Sequence, residues 1–125
     1  MVFLASNCLT VSNIPSIRAS DPKIGIDLSD NGHLASVVER IPSDVEAIYF
    51  EFFLDIPEDS EIPLQFKWFF EDKLVQTHSG NHTRGYTIAM LDRDPEIMQN
   101  FPSGAYRVEV WFLNTLIVSK NFSVD

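Results

Sequence analysis

Large apolar and polar residues alternate along several stretches of this chain. Between Ala47 and Ile56, the side chains of Ile48, Phe50, Phe52, Leu54 and Ile56 make one unbroken apolar face. After the acidic loop from Pro57 to Glu61 the period returns, with Leu64, Phe66, Trp68 and Phe70 set against Gln65, Lys67, Phe69 and Glu71. It returns again near the carboxyl end, where Tyr106, Val108, Val110 and Phe112 oppose Arg107, Glu109 and Trp111. A turn at Asn114-Thr115 then leads back through Leu116 to Val124. Side chains in a strand point to alternate faces, so these stretches predict strands with one buried face, the last two joined as a hairpin.

The remaining segments read as shorter strands and turns. Lys23 to Leu28 alternates and then meets the turn-prone Ser29-Asp30-Asn31-Gly32. His33 to Ile41 reads as a strand because of Val37 and Val38, with a short helix as the alternative. Asp72-Lys73 turns into a strand from Leu74 to His78, with Ser79-Gly80-Asn81 as a loop. Tyr86, Ile88 and Met90 alternate in another strand, and Asp92 to Asn100 contains a helical turn. Strict alternation would put Lys120 inside with Leu116, Val118, Phe122 and Val124, which predicts a bulge near Ser119 to Asn121. Residues 1–22, where Leu9 and Val11 suggest a short strand, form an edge strand and loop ahead of a sandwich over 23–125. Seven to nine short strands and no long helix make an all-β sandwich or barrel.

Trp68 at mid-strand and Gly104-x-Tyr106-x-Val108 at a strand start resemble the strand C tryptophan and the tyrosine corner of immunoglobulin-like sandwiches. Gly104 to Val110 and Phe122 to Val124 also resemble the G-x-Y-x-V-x-V and F-x-V ending of small bacterial immunoglobulin-like modules. The resemblance spans Glu46 to Val124. It implies an antiparallel immunoglobulin-like β-sandwich with Trp68 and Phe52 in its core and the Tyr106 hydroxyl bonded to backbone a few residues upstream. The inter-sheet cysteines of the antibody pattern are absent: Val108 follows Tyr106 by two positions, and Phe50 or Phe52 stands in the facing strand. Such a disulfide contributes about 2–4 kcal/mol, and one buried Phe about 1.5–3 kcal/mol, so an aromatic core can offset it.

Composition narrows the functions. Acids outnumber bases 18 to 9, and the net charge of −9 repels nucleic acid. Cys8 is the only cysteine, so there is no intrachain disulfide, thiolate zinc site or CxxC pair. The start, MVFLASNC, lacks the basic region of an export signal, and with Met1 as the natural start the chain is expected to be cytoplasmic. No apolar run reaches the ~20 residues of a membrane helix. Neither a G-x-S-x-G nor a phosphate-cradling glycine loop occurs, so no cofactor and no catalytic set are expected. The acidic groups Asp55, Glu58, Asp59, Glu61 and Asp92, Asp94, Glu96 fall at opposite ends of such a sandwich and read as solvated loops. His78 and His82 read as surface histidines.

Once the Trp68 and Tyr106 strands share a sheet, as the resemblance implies, their outward residues become neighbours. That set is Phe69, Trp111 and Leu113, flanked by Lys67, Arg107 and Glu109. Two large aromatics facing water suggest an interaction surface. The expected function is binding of a protein partner or a second copy. A carbohydrate-binding or calcium-assisted module, with Trp111 and Phe69 stacked on sugar rings, is the alternative.

Overall fold

The alternating stretches become strands because only a pleated, paired backbone puts every second side chain into one apolar layer. A computed structural model of the protein describes residues 16–94 and 98–125. Eight strands form among the described residues: β1 (Arg18–Gly25), β2 (Arg40–Ile41), β3 (Ala47–Asp55), β4 (Ile62–Phe70), β5 (Lys73–His82), β6 (Gly85–Asp92), β7 (Gly104–Phe112) and β8 (Thr115–Val124). They make a three-stranded sheet, β1-β3-β6, and a five-stranded sheet, β2-β8-β7-β4-β5. All pairings are antiparallel except the short β2, which runs parallel to the end of β8.

The core lies between the sheets. Ile48, Phe50, Phe52 and Leu54 of β3 are buried against Leu64, Phe66 and Trp68 of β4 and Tyr106, Val108 and Val110 of β7. The rings pack in sequence, with Phe50 on Phe52 at 5.4 Å, Phe52 on Phe66 at 6.3 Å, and Trp68 edge-on to Phe122 at 6.3 Å. Trp68 is fully buried yet satisfied, because its Nε1–H donates to His78 Nε2 at 3.1 Å.

One end of this layer is fixed by a tyrosine and a glycine. The Tyr106 hydroxyl donates to the Pro102 carbonyl at 2.8 Å, as the resemblance implies, and burial pushes its pKa up to about 12. Gly104 has φ 144, and a Cβ there would stand 2.7 Å from Glu71 Oε1 and 2.9 Å from Phe70 Cε1. Glu71 and Asp72 form the turn between β4 and β5, both left-handed at φ 48 and 66, and the Glu71 N–H donates to the Ala105 carbonyl at 2.9 Å. The turn is therefore seated on the start of β7.

Several expectations need correcting. The first described strand runs from Arg18 to Gly25, not from Lys23 to Leu28, so a division after Pro22 cuts through β1. The proposed strand at Leu9 and Val11 lies outside the described residues. His33 to Ile41 is neither a strand nor a helix over its length: only Arg40–Ile41 is strand, because the backbone before it bonds elsewhere. The Ala35 N–H donates to the Asp27 carbonyl at 3.0 Å and the Val38 N–H to the Ile24 carbonyl at 2.8 Å. Ser79-Gly80-Asn81 is strand, not loop, since β5 stays paired with β4 as far as Ile62 opposite His82.

The expected bulge also moves. Val110 pairs with Val118 and Trp111 with Leu116, so Ile117 is the extra residue. Leu116 thereby turns outward with Trp111. Lys120 stays in register opposite Val108, and its flexible stem carries the amino group out to Glu39 Oε1 at 3.4 Å. In β6 the core takes Thr87, Ala89 and Leu91, leaving Tyr86 and Met90 exposed. The helical turn expected over 92–100 includes residues outside the described set, although the Met98 N–H donates to the Asp94 carbonyl at 2.9 Å.

Gly104→Ala is expected to destabilise the protein by about 1–3 kcal/mol, from strain at that φ. Tyr106→Phe, which deletes a single hydrogen bond, costs about 1 kcal/mol. Urea unfolding checks both, and a Gly104→Ala midpoint equal to that of the parent would remove the steric account of this corner.

Candidate functional site

The outward face of the five-stranded sheet gathers the residues singled out by alternation. Register sets Gln65 opposite Trp111, Lys67 opposite Glu109, and Phe69 opposite Arg107. Lys67 Nζ lies over the Trp111 ring at 4.9 Å from its centroid, and the Arg107 guanidinium carbon lies over Phe69 at 4.4 Å. Both contacts are within cation–π range. The two aromatics are therefore half-buried under cations and do not stand free in water as expected.

Glu109 ties the two pairs together. One of its oxygens accepts from Arg107 Nε at 2.8 Å and the other from Trp111 Nε1 at 2.9 Å. Arg107 Nη1 reaches Asp72 Oδ1 at 2.9 Å. Asp72, and after it Glu109, raise the pKa of Arg107 and hold it charged. The Glu109 side chain is only 14% exposed, whereas that of Asp72 is 89% exposed, so Glu109 is the inner anchor.

Five of the six expected surface residues thus form one network, and Leu113 does not join it. Leu113 sits in the β7–β8 turn at φ 53 and is 70% exposed. Alternation missed Asp72, Leu74 and Leu116. Leu74 pairs with Phe69 and Leu116 with Trp111, and both are exposed on this face. Each follows from a bulge, at Val75 in β5 and Ile117 in β8, and the unbroken runs Leu74-Val75 and Leu116-Ile117-Val118 were the available signal.

The outer face of the three-stranded sheet is built differently. Glu51 is buried there, and its Oε2 accepts from His33 Nδ1 at 3.0 Å and the Leu34 N–H at 3.4 Å. A loop is thereby fastened across the sheet, and Gly25 makes room for it, since a Cβ would lie 2.5 Å from the Ser36 carbonyl. Asp55 and Asp92 sit at opposite ends of the β3–β6 ladder. No group of three or more His, Cys, Asp or Glu is placed to hold a metal ion among the described residues.

His78 and His82 are half-buried instead of standing free on the surface. Both lie on the core side of β5, where Phe66 stacks on His78 at 5.0 Å and meets His82 edge-on at 5.4 Å. Burial, and then His82 nearby, lowers the His78 pKa; burial lowers that of His82.

A solved immunoglobulin-like protein from Pseudomonas aeruginosa superposes on this chain with a TM-score of 0.62 at 12% identity, over 88% of this chain and 97% of that one. The fold is immunoglobulin-like. The alkylpurine DNA glycosylase AlkC of Pseudomonas fluorescens, bound to DNA containing an abasic site analog, matches with a TM-score of 0.53 at 13% identity. That match spans 95% of this chain and 33% of the glycosylase. No family model and no curated protein matches the sequence. Trp68, Tyr106 and Phe52 are buried between the two sheets, and the cation-covered face is the outside of the larger sheet.

Because His78 and His82 titrate lower in the folded state, the unfolded chain binds more protons once pH falls below about 6.5. Stability is thus complete above that pH and declines as pH falls toward the depressed values. Melting temperature measured against pH is expected to drop on acidification, with a shallower slope for His78→Gln. Parallel slopes for the two proteins would show that His78 is not responsible.

Proposed function

We propose that this immunoglobulin-like sandwich is a non-catalytic protein-interaction module whose contact surface is the outward face of the five-stranded sheet. The observation that carries the reading is Arg107, held between Asp72 and Glu109 while lying over Phe69. A guanidinium and a ring fixed in this way lose little freedom on binding, and Arg and Trp dominate binding hot spots. Exposed Leu74 and Leu116 flank the network and supply apolar area at its ends.

A non-catalytic role fits the fate of the displaced titrations. His78 and His82 are taken up by ring packing on Phe66, and the Tyr106 hydroxyl is taken up by the Pro102 carbonyl. Sugar stacking would need bare ring faces, and here Lys67 and Arg107 already lie over Trp111 and Phe69. DNA, the ligand in the glycosylase complex, is disfavoured by the net charge of −9.

The test begins with a partner protein isolated with the native chain and then titrated calorimetrically. Trp111→Ala and Arg107→Ala are each expected to weaken binding by roughly 30-fold, the size of a hot-spot loss, with melting temperatures near that of the parent. Unchanged affinity in both variants would dismiss this face.

A further inference from the structure

We propose that β5 is a docking edge for a second copy of this chain, pairing antiparallel with its counterpart about a two-fold axis near Thr77 and joining the two five-stranded sheets. Sheet edges invite pairing unless they are guarded, and the edges here are not guarded alike. β1 carries a register break between Ser20 and Lys23, with Pro22 and a left-handed Asp21 inside it. β2 is only 2 residues long. β5 runs for 10 residues with no proline, and its only full charge is Lys73 at the start. From Gln76 to His82 it stays in unbroken register with β4, and no described strand pairs with its other side, which leaves an outer rim of backbone donors and acceptors among the described residues.

Charge selects the occupant. Of 18 acidic residues, none falls between Asp72 and Asp92. Two chains each of net charge −9 can therefore meet along this stretch without setting carboxylate against carboxylate. β5 passes directly through Thr83 and Arg84 into β6, so both edges open on the same side of the sandwich. Leu74, Val75, Tyr86 and Met90 on these strands are 54%, 51%, 53% and 38% exposed. A foreign acidic strand finds little to attract it. Arg84 already pairs with Asp55 at 3.3 Å, and the centre of β5 is uncharged polar apart from His78, whose pKa burial lowers. Identical uncharged rims paired about a two-fold axis satisfy each other.

Sedimentation equilibrium of the full chain tests this. A monomer–dimer equilibrium is expected, and added salt should tighten it by screening the residual repulsion between two acidic bodies. Thr77→Lys and Thr77→Glu should each weaken the dimer by roughly 100-fold by placing like charges together, and mixing the two should restore it. If either Thr77 variant fails to fold, Val75→Lys combined with Ser79→Lys repeats the test, because an axis at Thr77 sets Val75 of one copy opposite Ser79 of the other. A chain that stays monomeric at every concentration and salt level overturns the proposal, as does a Thr77→Lys protein that dimerises like the parent. Trp111→Ala should leave the dimer intact. Loss of the dimer in that variant would place the contact on the sheet face instead, and would refute the edge without touching the reading of the face.

Discussion

Everything in this molecule depends on an aromatic layer sealed between two sheets that no covalent bond joins. Phe50 and Phe52 from one side and Phe66, Trp68 and Val108 from the other fill this layer, with Val108 and Phe50 or Phe52 standing where the antibody pattern has cysteines. Each fully buried Phe contributes about 1.5–3 kcal/mol, comparable to the 2–4 kcal/mol of such a bridge. The layer also dictates polar choices. His78 must stay neutral to accept the Trp68 indole proton, because Trp68 is fully buried and has no water to turn to, and the buried Tyr106 hydroxyl finds Pro102.

The outer face follows from the inner one. With Trp68 and Val108 committed to the core, the pleat leaves Lys67, Phe69, Arg107 and Glu109 no place but the outside. There the aromatics find cations instead of solvent, and Glu109 serves both neighbours at once. The two bulges extend this face by turning Leu74 and Leu116 onto it, so small irregularities in β5 and β8 enlarge the exposed apolar rim.

Much of the fold was legible in the sequence wherever burial is one-sided. β4 and β7 each have one buried face, β3 departs from this only at the buried Glu51, and a period of two names the inward residues without error from Ile48 to Leu54 and from Tyr106 to Val110. Legibility failed where other forces chose the conformation. The backbone from His33 onward is held by Glu51 and by carbonyls of Ile24 and Asp27, partners far away in sequence or without side-chain signature. Ser79 to Asn81 has the composition of a loop, yet the ladder with β4 keeps it extended. In β6 the more apolar stripe of Tyr86, Ile88 and Met90 faces out, while Thr87, Ala89 and Leu91 are buried. Of the candidate site, the aromatics and their charged neighbours could be read from alternation. Asp72 and the two leucines could not, since a turn and two bulges place them.

The way β8 is flanked has a mechanical meaning. β1 starts beside Thr115 to Ile117, where β8 also starts, and β2 runs parallel to the last residues of β8, with Arg40 bonded to Asp125 at 2.9 Å. Tension drawn through Arg18 at one end and Val124 at the other would slide these elements lengthwise past one another. Their contacts would then have to yield together under shear, not one at a time as in a peeling hairpin.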